Sequence, residues 1–314
     1  METIITTIAK DRIKSLFGFQ FPKDFFDFYK FINKHLFTVD ILSTLNMSLG
    51  SVFDVFQLDM EEEKEENLKE LLKPSRYYND PPEFVTVLIG DVDSLHWGYF
   101  FDKPSVVRPF VVNYYHSDTY EMAVSGQTLF EALRIRLEFL YLDTLELLEE
   151  DNDDEDIEIY NTDLQKYALI RELLLPYTDN ITEIGDDYLD ADAKVIRDDA
   201  VAKTRNHLGI IATESEYKKI SQITAKQSKK TIEGIIKETR DAIKEGFPAT
   251  ALQTGQNLWT NPDFREETYE FLNIAYTQLK RPILIKLMLI AKEIREFYDA
   301  RDERKKHKKN SPKV

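Results

Sequence analysis

Apolar residues recur at helical spacing from Thr3 to Phe17 (Ile4, Ile5, Ile8, Ile13, Leu16), and Gly18 closes that run. Pro22 opens a second helix whose Phe25, Phe26, Phe28, Tyr29, Phe31 and Ile32 form an aromatic face that must be buried. The hydrophobic stretch from Val39 to Leu58 predicts two strands joined through Ser48-Leu49-Gly50-Ser51, and the charged run from Glu61 to Leu72 predicts an exposed helix closed by Pro74. From Asp80 to His116 the pattern changes to short β-branched and aromatic runs, Glu83–Ile89, Trp97–Phe101 and Val106–Tyr115, separated by turn residues. These predict an antiparallel meander. Leucines at 129, 133, 137, 140, 145 and 148 then give one long helix covering the sheet.

The segment Glu149 to Glu158, EEDNDDEDIE, is a run of like charge that marks a domain boundary. Beyond it, Asp163 to Pro176 reads as helix. His207-Leu208-Gly209-Ile210-Ile211 and Glu216 to Ile220 suggest a small hairpin. From Lys229 onward four helical segments are punctuated by Gly246-Phe247-Pro248, Asn261-Pro262-Asp263 and Lys280-Arg281-Pro282, the arrangement of antiparallel helix pairs. Tyr269, Leu272, Ala275 and Tyr276 sit where a tetratricopeptide-type helix pair places large and small packing residues, but no second copy follows at a constant period. The predicted fold is therefore α+β: a mostly antiparallel sheet flanked by helices over residues 1–148, an acidic linker over 149–160, a mostly helical domain over 161–300 and a basic disordered tail over 301–314.

The composition of the 314 residues, 42% hydrophobic and 12% aromatic, supplies ample material for packed cores. The absence of cysteine excludes disulfides, thiolate metal sites and cysteine nucleophiles. Charged residues interrupt the N-terminus before a secretory core forms, and Pro282 to Ala291 is too short to span a bilayer, so a cytoplasmic protein with no membrane partner is expected. A net charge of −16 repels nucleic acid and attracts basic proteins. Only the tail, Arg304 to Lys309, reverses that sign and offers a contact for nucleic acid.

Candidate chemistry concentrates between the first two strands, where Asp91, Asp93, Ser94 and His96 share one loop, with His116 at the end of the third strand. Clustered carboxylates and imidazoles suit a metal, yet Asp residues in a short turn cap their own backbone and account for the pattern equally well. No nucleophile elbow, P-loop, dinucleotide turn, HExxH or CxxC is present, and the acidic clusters lack calcium-loop spacing. The sequence thus favours a binding protein without cofactor or resident metal over an enzyme. Asp91, Asp93, His96, Trp97 and Tyr99, supported by Asp102, are the candidate partner-binding residues, since aromatic anchors beside carboxylates suit an interface. A second reading is a scaffold that binds peptides on its helical surface from Thr231 to Tyr298, with Trp259, Tyr269 and Tyr276 exposed.

The order of a proline-led aromatic helix (Phe21 to Tyr29), a Leu49-Gly50 strand entry, and Pro82 to Gly90 leading into Asp91 to Tyr99 and Phe101-Asp102 resembles the SMI1/KNR4 (SUKH) superfamily. The likeness covers about residues 1–148. It departs at Asn33-Lys34-His35, where many members have Asn-Gly-Gly. The resemblance implies an antiparallel α+β domain and, in bacterial members, an immunity protein that neutralises a toxin. Here the expected partner is a basic, nuclease-like toxin.

Overall fold

The computed structural model describes residues 2–57, 65–115, 120–150, 153–178 and 199–310. The first helix, α1 (Glu2–Phe17), stops at Gly18, whose φ of +75° turns the chain out of the helical path. The second, α2 (Lys23–His35), buries Phe25, Phe26, Phe28 and Phe31, as its aromatic face requires. Phe25 stacks on Phe53 at 4.4 Å between ring centroids, and Phe21 meets Phe17, Phe25 and Phe101. Each such buried ring contributes about 1.5–3 kcal/mol relative to exposure. At the start of α2 the Asp24 carboxylate is enclosed. One of its oxygens accepts the Tyr99 hydroxyl at 2.6 Å and the Leu129 amide at 3.0 Å, fastening α2 to the sheet and to the helix that follows it.

The predicted strand pair between Val39 and Leu58 is not formed. Asp40 instead caps a short helix, α3 (Ile41–Thr44), by accepting the Ser43 amide. One strand, β1 (Met47–Leu49), follows, and Ser51–Phe56 winds into a 3₁₀ helix that buries Val52, Phe53, Val55 and Phe56. Packing two apolar side chains per turn against α1 outweighs the β-branched propensity that suggested a second strand. A further helix, α4 (Glu65–Leu72), seats Leu68, Leu71 and Leu72 on this layer.

The sheet is an antiparallel meander of β1, β2 (Phe84–Gly90), β3 (Leu95–Phe100), β4 (Phe110–Tyr115) and β5 (Ala123–Gly126), in that spatial order. Asp93 and Ser94, with φ of +47° and +58°, form the two central positions of the β2–β3 hairpin, and the Leu95 amide donates to the Val92 carbonyl at 2.8 Å. Two positive φ values in a two-residue loop are the geometry that matches strand twist, so the polar loop is explained by its turn. The third strand starts at Phe110 and not at Val106, since Pro109 has no amide to donate to a ladder. Every residue of β3 is buried, because its two faces are covered separately. Tyr99 meets the N-terminal aromatic layer, while His96, Gly98 and Phe100 face the other way.

The long helix α5 (Leu129–Glu150) covers the sheet through Leu129, Leu133, Leu137 and Leu140, and α6 (Asp154–Leu174) packs against it. The acidic run opens α6: Asp153 accepts the Glu155 amide, and Asp154, Glu155 and Asp156 lie in the first turn, where the helix dipole favours negative charge. The C-terminal region holds α7 (Lys229–Lys244), α8 (Pro248–Leu258), α9 (Arg265–Gln278) and α10 (Pro282–Asn310), the last running through the basic tract. Leu272, Ala275 and Tyr276 are buried, and Leu272 lies over Gly255 so closely that an added Cβ would come within 2.7 Å of it. The chain is thus α+β, with its sheet in the N-terminal half and a mostly helical C-terminal region. The small hairpin expected over 207–220 is replaced by a single antiparallel bridge, Ala202 to Ile210, and a 3₁₀ turn at Glu214–Glu216.

Gly98 lies under the Phe84 ring, where a Cβ would stand 2.5 Å from the nearest ring carbon. Phe84 is fully buried and has no room to withdraw. Gly98→Ala should therefore cost about 1–3 kcal/mol, read as a lower urea midpoint with an unchanged m-value.

Candidate functional site

Of the side chains singled out in the sequence, Asp91 and Asp93 are exposed on the hairpin, whereas His96, Trp97, Tyr99 and Asp102 are buried. The structure does not bring His96 to the two aspartates: its ring nitrogens face the Ser94 carbonyl and the Asp80 carboxylate, both at 2.8 Å. Tyr99 is committed to Asp24, and Asp102 lies near Arg281, where burial lowers the guanidinium pKa and the Asp102 charge works against that shift. His116 falls outside the described residues. Among the described residues no three His, Asp or Glu side chains gather to hold a metal ion. In the helical region Trp259 and Tyr276 are buried and Tyr269 is half-buried, so the exposed aromatic stripe expected of a peptide scaffold is absent there.

The densest polar assembly lies one loop earlier, between the sheet and the C-terminal helices. Arg76 is buried and donates to three carbonyls, those of Phe84 at 2.9 Å, Asp80 at 3.1 Å and Pro81 at 2.6 Å. Pro81 and Pro82 have no amide hydrogens to give; the Pro81 carbonyl also accepts the Phe84 amide at 3.0 Å, and the guanidinium adds the donors that the two prolines lack. The Asp80 carboxylate, wholly enclosed, accepts His96, the Tyr114 hydroxyl, the Thr86 hydroxyl at 3.2 Å and the Tyr77 amide at 2.9 Å. Burial works to raise its pKa, but His96, Arg76 and Tyr114 together hold it below the ordinary carboxylate value.

Glu83, three residues on, meets the opposite fate. One carboxyl oxygen accepts the Gln256 amide and the Tyr276 hydroxyl, each at 2.7 Å, while the other has no partner; the Gln256 carbonyl oxygen also has none. Burial raises the pKa of Glu83 against those two donors. A single proton on the unpartnered oxygen supplies the donor that the Gln256 carbonyl lacks, closing an acid–amide pair with two hydrogen bonds. The same loop gives its Tyr78 carbonyl to Arg295 at 2.8 Å and its Asn79 carbonyl to the Trp259 indole at 2.9 Å, while the Arg295 guanidinium stacks 3.7 Å from the Trp259 ring centre. Every member of the junction except His96, Trp259 and Tyr276 was missed as a site residue in the sequence. The available signal was Arg76 and two carboxylates flanking a Pro-Pro pair, residues that a loop would otherwise leave in solvent.

Two features remain on the surface. Where α5 ends and α6 begins, Glu149, Glu150, Asp153, Asp154, Glu155, Asp156 and Glu158 are all exposed. A polar cleft of about 570 Å³ opens beside the loop 204–207. No helix among the described residues is long and apolar enough to cross a membrane.

Residues 8–182 match the family model described as histone PARylation factor 1. The chain is similar to histone PARylation factor 1 of Danio rerio, 27% identical over 140 residues, which are 43% of this chain and 40% of that protein. The Mus musculus protein of the same name is 26% identical over 140 residues with the same coverages, and that of Bos taurus is 26% identical over 132 residues, 41% of this chain and 38% of its own. The matched stretch therefore spans about two fifths of those relatives. This overturns the expected SMI1/KNR4 (SUKH) resemblance and, with it, the immunity role and the basic toxin partner. The residues that carried the likeness, Phe21 to Asp102, all fall within the matched segment, and they encode an aromatic helix and a tight hairpin that packing requires in any fold of this shape.

Asp80→Asn should cost about 3–5 kcal/mol at neutral pH, because it leaves the buried Arg76 guanidinium without its neighbouring carboxylate. The folded pKa of Asp80 is depressed, so its contribution is whole above about 3.9 and fades as pH falls through the folded value. The urea midpoint of the parent should accordingly drop in acid more steeply than that of Asp80→Asn. For Glu83 the sign reverses: its contribution is whole below about 4.3 and fades as pH rises through the raised folded value. Glu83→Gln, which supplies a permanent donor towards Gln256, should match or exceed the parent at pH 7. Glu83→Ala should lose about 2–4 kcal/mol. Equal losses in the two variants would disprove the acid–amide pair.

Proposed function

Because this chain belongs to the histone PARylation factor 1 family, we propose that it is an accessory protein in the poly(ADP-ribosyl)ation of histones, binding partner proteins and not itself transferring ADP-ribose. The match over residues 8–182 carries this reading. The electrostatics support it. Histones are strongly basic, and a chain of net charge −16 attracts them over long range, raising encounter rates at low salt. The exposed carboxylates where α5 ends and α6 begins form a run of negative charge on the described surface.

The test is to incubate histone with a poly(ADP-ribosyl)ating enzyme and a labelled ADP-ribose donor, with and without this chain. Label on histone should rise when the chain is present; unchanged histone labelling would refute the proposal. In a binding assay, the combined Glu149→Gln, Glu150→Gln and Glu158→Gln variant should associate with histone several-fold more slowly at low salt, the difference shrinking as salt is added. Two of these residues end α5, where negative charge opposes the helix dipole, so the helix should stay folded.

A further inference from the structure

The cleft beside residues 204–207 is built on a loop that is cross-linked from within. Ala202 and Ile210 pair as a bridge, with the Ile210 amide donating to the Ala202 carbonyl at 3.0 Å. The Thr204 hydroxyl accepts the Gly209 amide at 2.8 Å, and the side chain of the fully buried Asn206 accepts the Leu208 amide at 3.2 Å and the Thr204 hydroxyl. From outside, the Met122 amide donates to the Asn206 carbonyl at 3.2 Å. These bonds hold His207 in the left-handed region at φ +67°, an uncommon conformation for a side chain of this size. The loop therefore presents Arg205 and His207 in fixed positions.

Arg205 is fastened to the end of α8: its amide donates to the Asn257 side chain at 2.9 Å and one guanidinium nitrogen to the Asn257 carbonyl at 3.2 Å. Among the described residues no carboxylate lies within ion-pair distance of it, so most of its planar donor fork is uncommitted at the cleft wall. His207 stands 3.7 Å from Glu121 across the opening. Thr204, Asn257, Gln222 and Thr260 add hydroxyl and amide groups to the lining. About 570 Å³ is the size of a small-ligand site, and its chemistry is that of an anion held at one point and hydroxyls held around it.

We infer that this cleft binds an ADP-ribose unit, with a phosphate on Arg205 and His207 and ribose hydroxyls on Glu121 and the amide side chains. The choice of ADP-ribose among phosphorylated sugars rests on the proposed role in poly(ADP-ribosyl)ation. A guanidinium fork takes two phosphate oxygens at once, which a lysine does not. Glu121 repels a phosphate placed beside it but accepts sugar hydroxyls, so the site is polarised along its length.

The whole chain is titrated with ADP-ribose by calorimetry, with ribose 5-phosphate, adenosine and inorganic phosphate as separate ligands. ADP-ribose should bind saturably, ribose 5-phosphate more weakly, and adenosine and inorganic phosphate weakest. Arg205→Ala should lower affinity tenfold or more. Arg205→Lys, which keeps the charge, should lose several-fold and serves, with circular dichroism, to separate lost binding from lost folding. His207→Asn, which tolerates the left-handed backbone, should also weaken binding. Absent ADP-ribose binding, an Arg205→Ala variant that binds as the parent does, or inorganic phosphate or adenosine binding as tightly as ADP-ribose would each overturn the assignment. The titration contains neither histone nor transferase. Stimulated histone labelling without ADP-ribose binding would sink the cleft alone, and binding without stimulated labelling would sink the accessory role alone.

Discussion

The segment from Arg76 to Glu83 holds the sheet to the helical region, and its constraint is the disposal of polar groups that two prolines leave unserved. Pro81 and Pro82 donate nothing, yet the loop carries buried carbonyls and two buried carboxylates. Arg76 serves the carbonyls on the sheet side; Arg295 and Trp259 serve those on the helical side. The two acids are handled oppositely. Asp80 is ringed by donors and stays charged, while Glu83 has too few donors and gains from a proton. One buried charge is paired and the other avoided, the two ways in which a carboxyl is tolerated away from water.

That junction determines where function is exposed. A histidine, an aspartate and two tyrosines close together in an acidic protein invite a catalytic reading, but the Asp80 carboxylate is already engaged inside the protein by His96, Tyr114, Thr86 and the Tyr77 amide. The network makes the sheet and the helices one supported body, and partner contact falls to the outside of it. A rigid surface loses little conformational entropy on association. Of the two surfaces proposed for binding, the α5–α6 edge carries exposed carboxylates and the cleft carries Arg205.

The resemblance that failed and the fold that held came from the same residues. Phe25 to Ile32, the three strand runs around Gly90 and Gly98, and the leucine ladder of α5 specify elements through periodicity, and those elements form where the pattern places them. Periodicity constrains burial, however, and unrelated families satisfy the same burial with the same pattern. The acidic run at 153–158 shows a second limit: like charges read as an unpackable linker, yet placed at a helix start they meet the dipole and begin α6.

The sequence alone determined the aromatic helix α2, the antiparallel run of strands β2 to β4, the long helix α5, the turn at Asp93-Ser94 and the net negative charge, because each follows from local spacing or from a sum over residues. It also marked His96 and Tyr99 as polar groups of consequence. Only the tertiary structure decided that these two face inward and in opposite directions, that Glu83 meets Gln256 and Tyr276 from more than 170 residues away, and that among the described residues no carboxylate pairs with Arg205. Such facts depend on which distant side chain arrives to donate or accept. No local pattern encodes that arrival, since a buried polar group and an exposed one are spelled with the same letters.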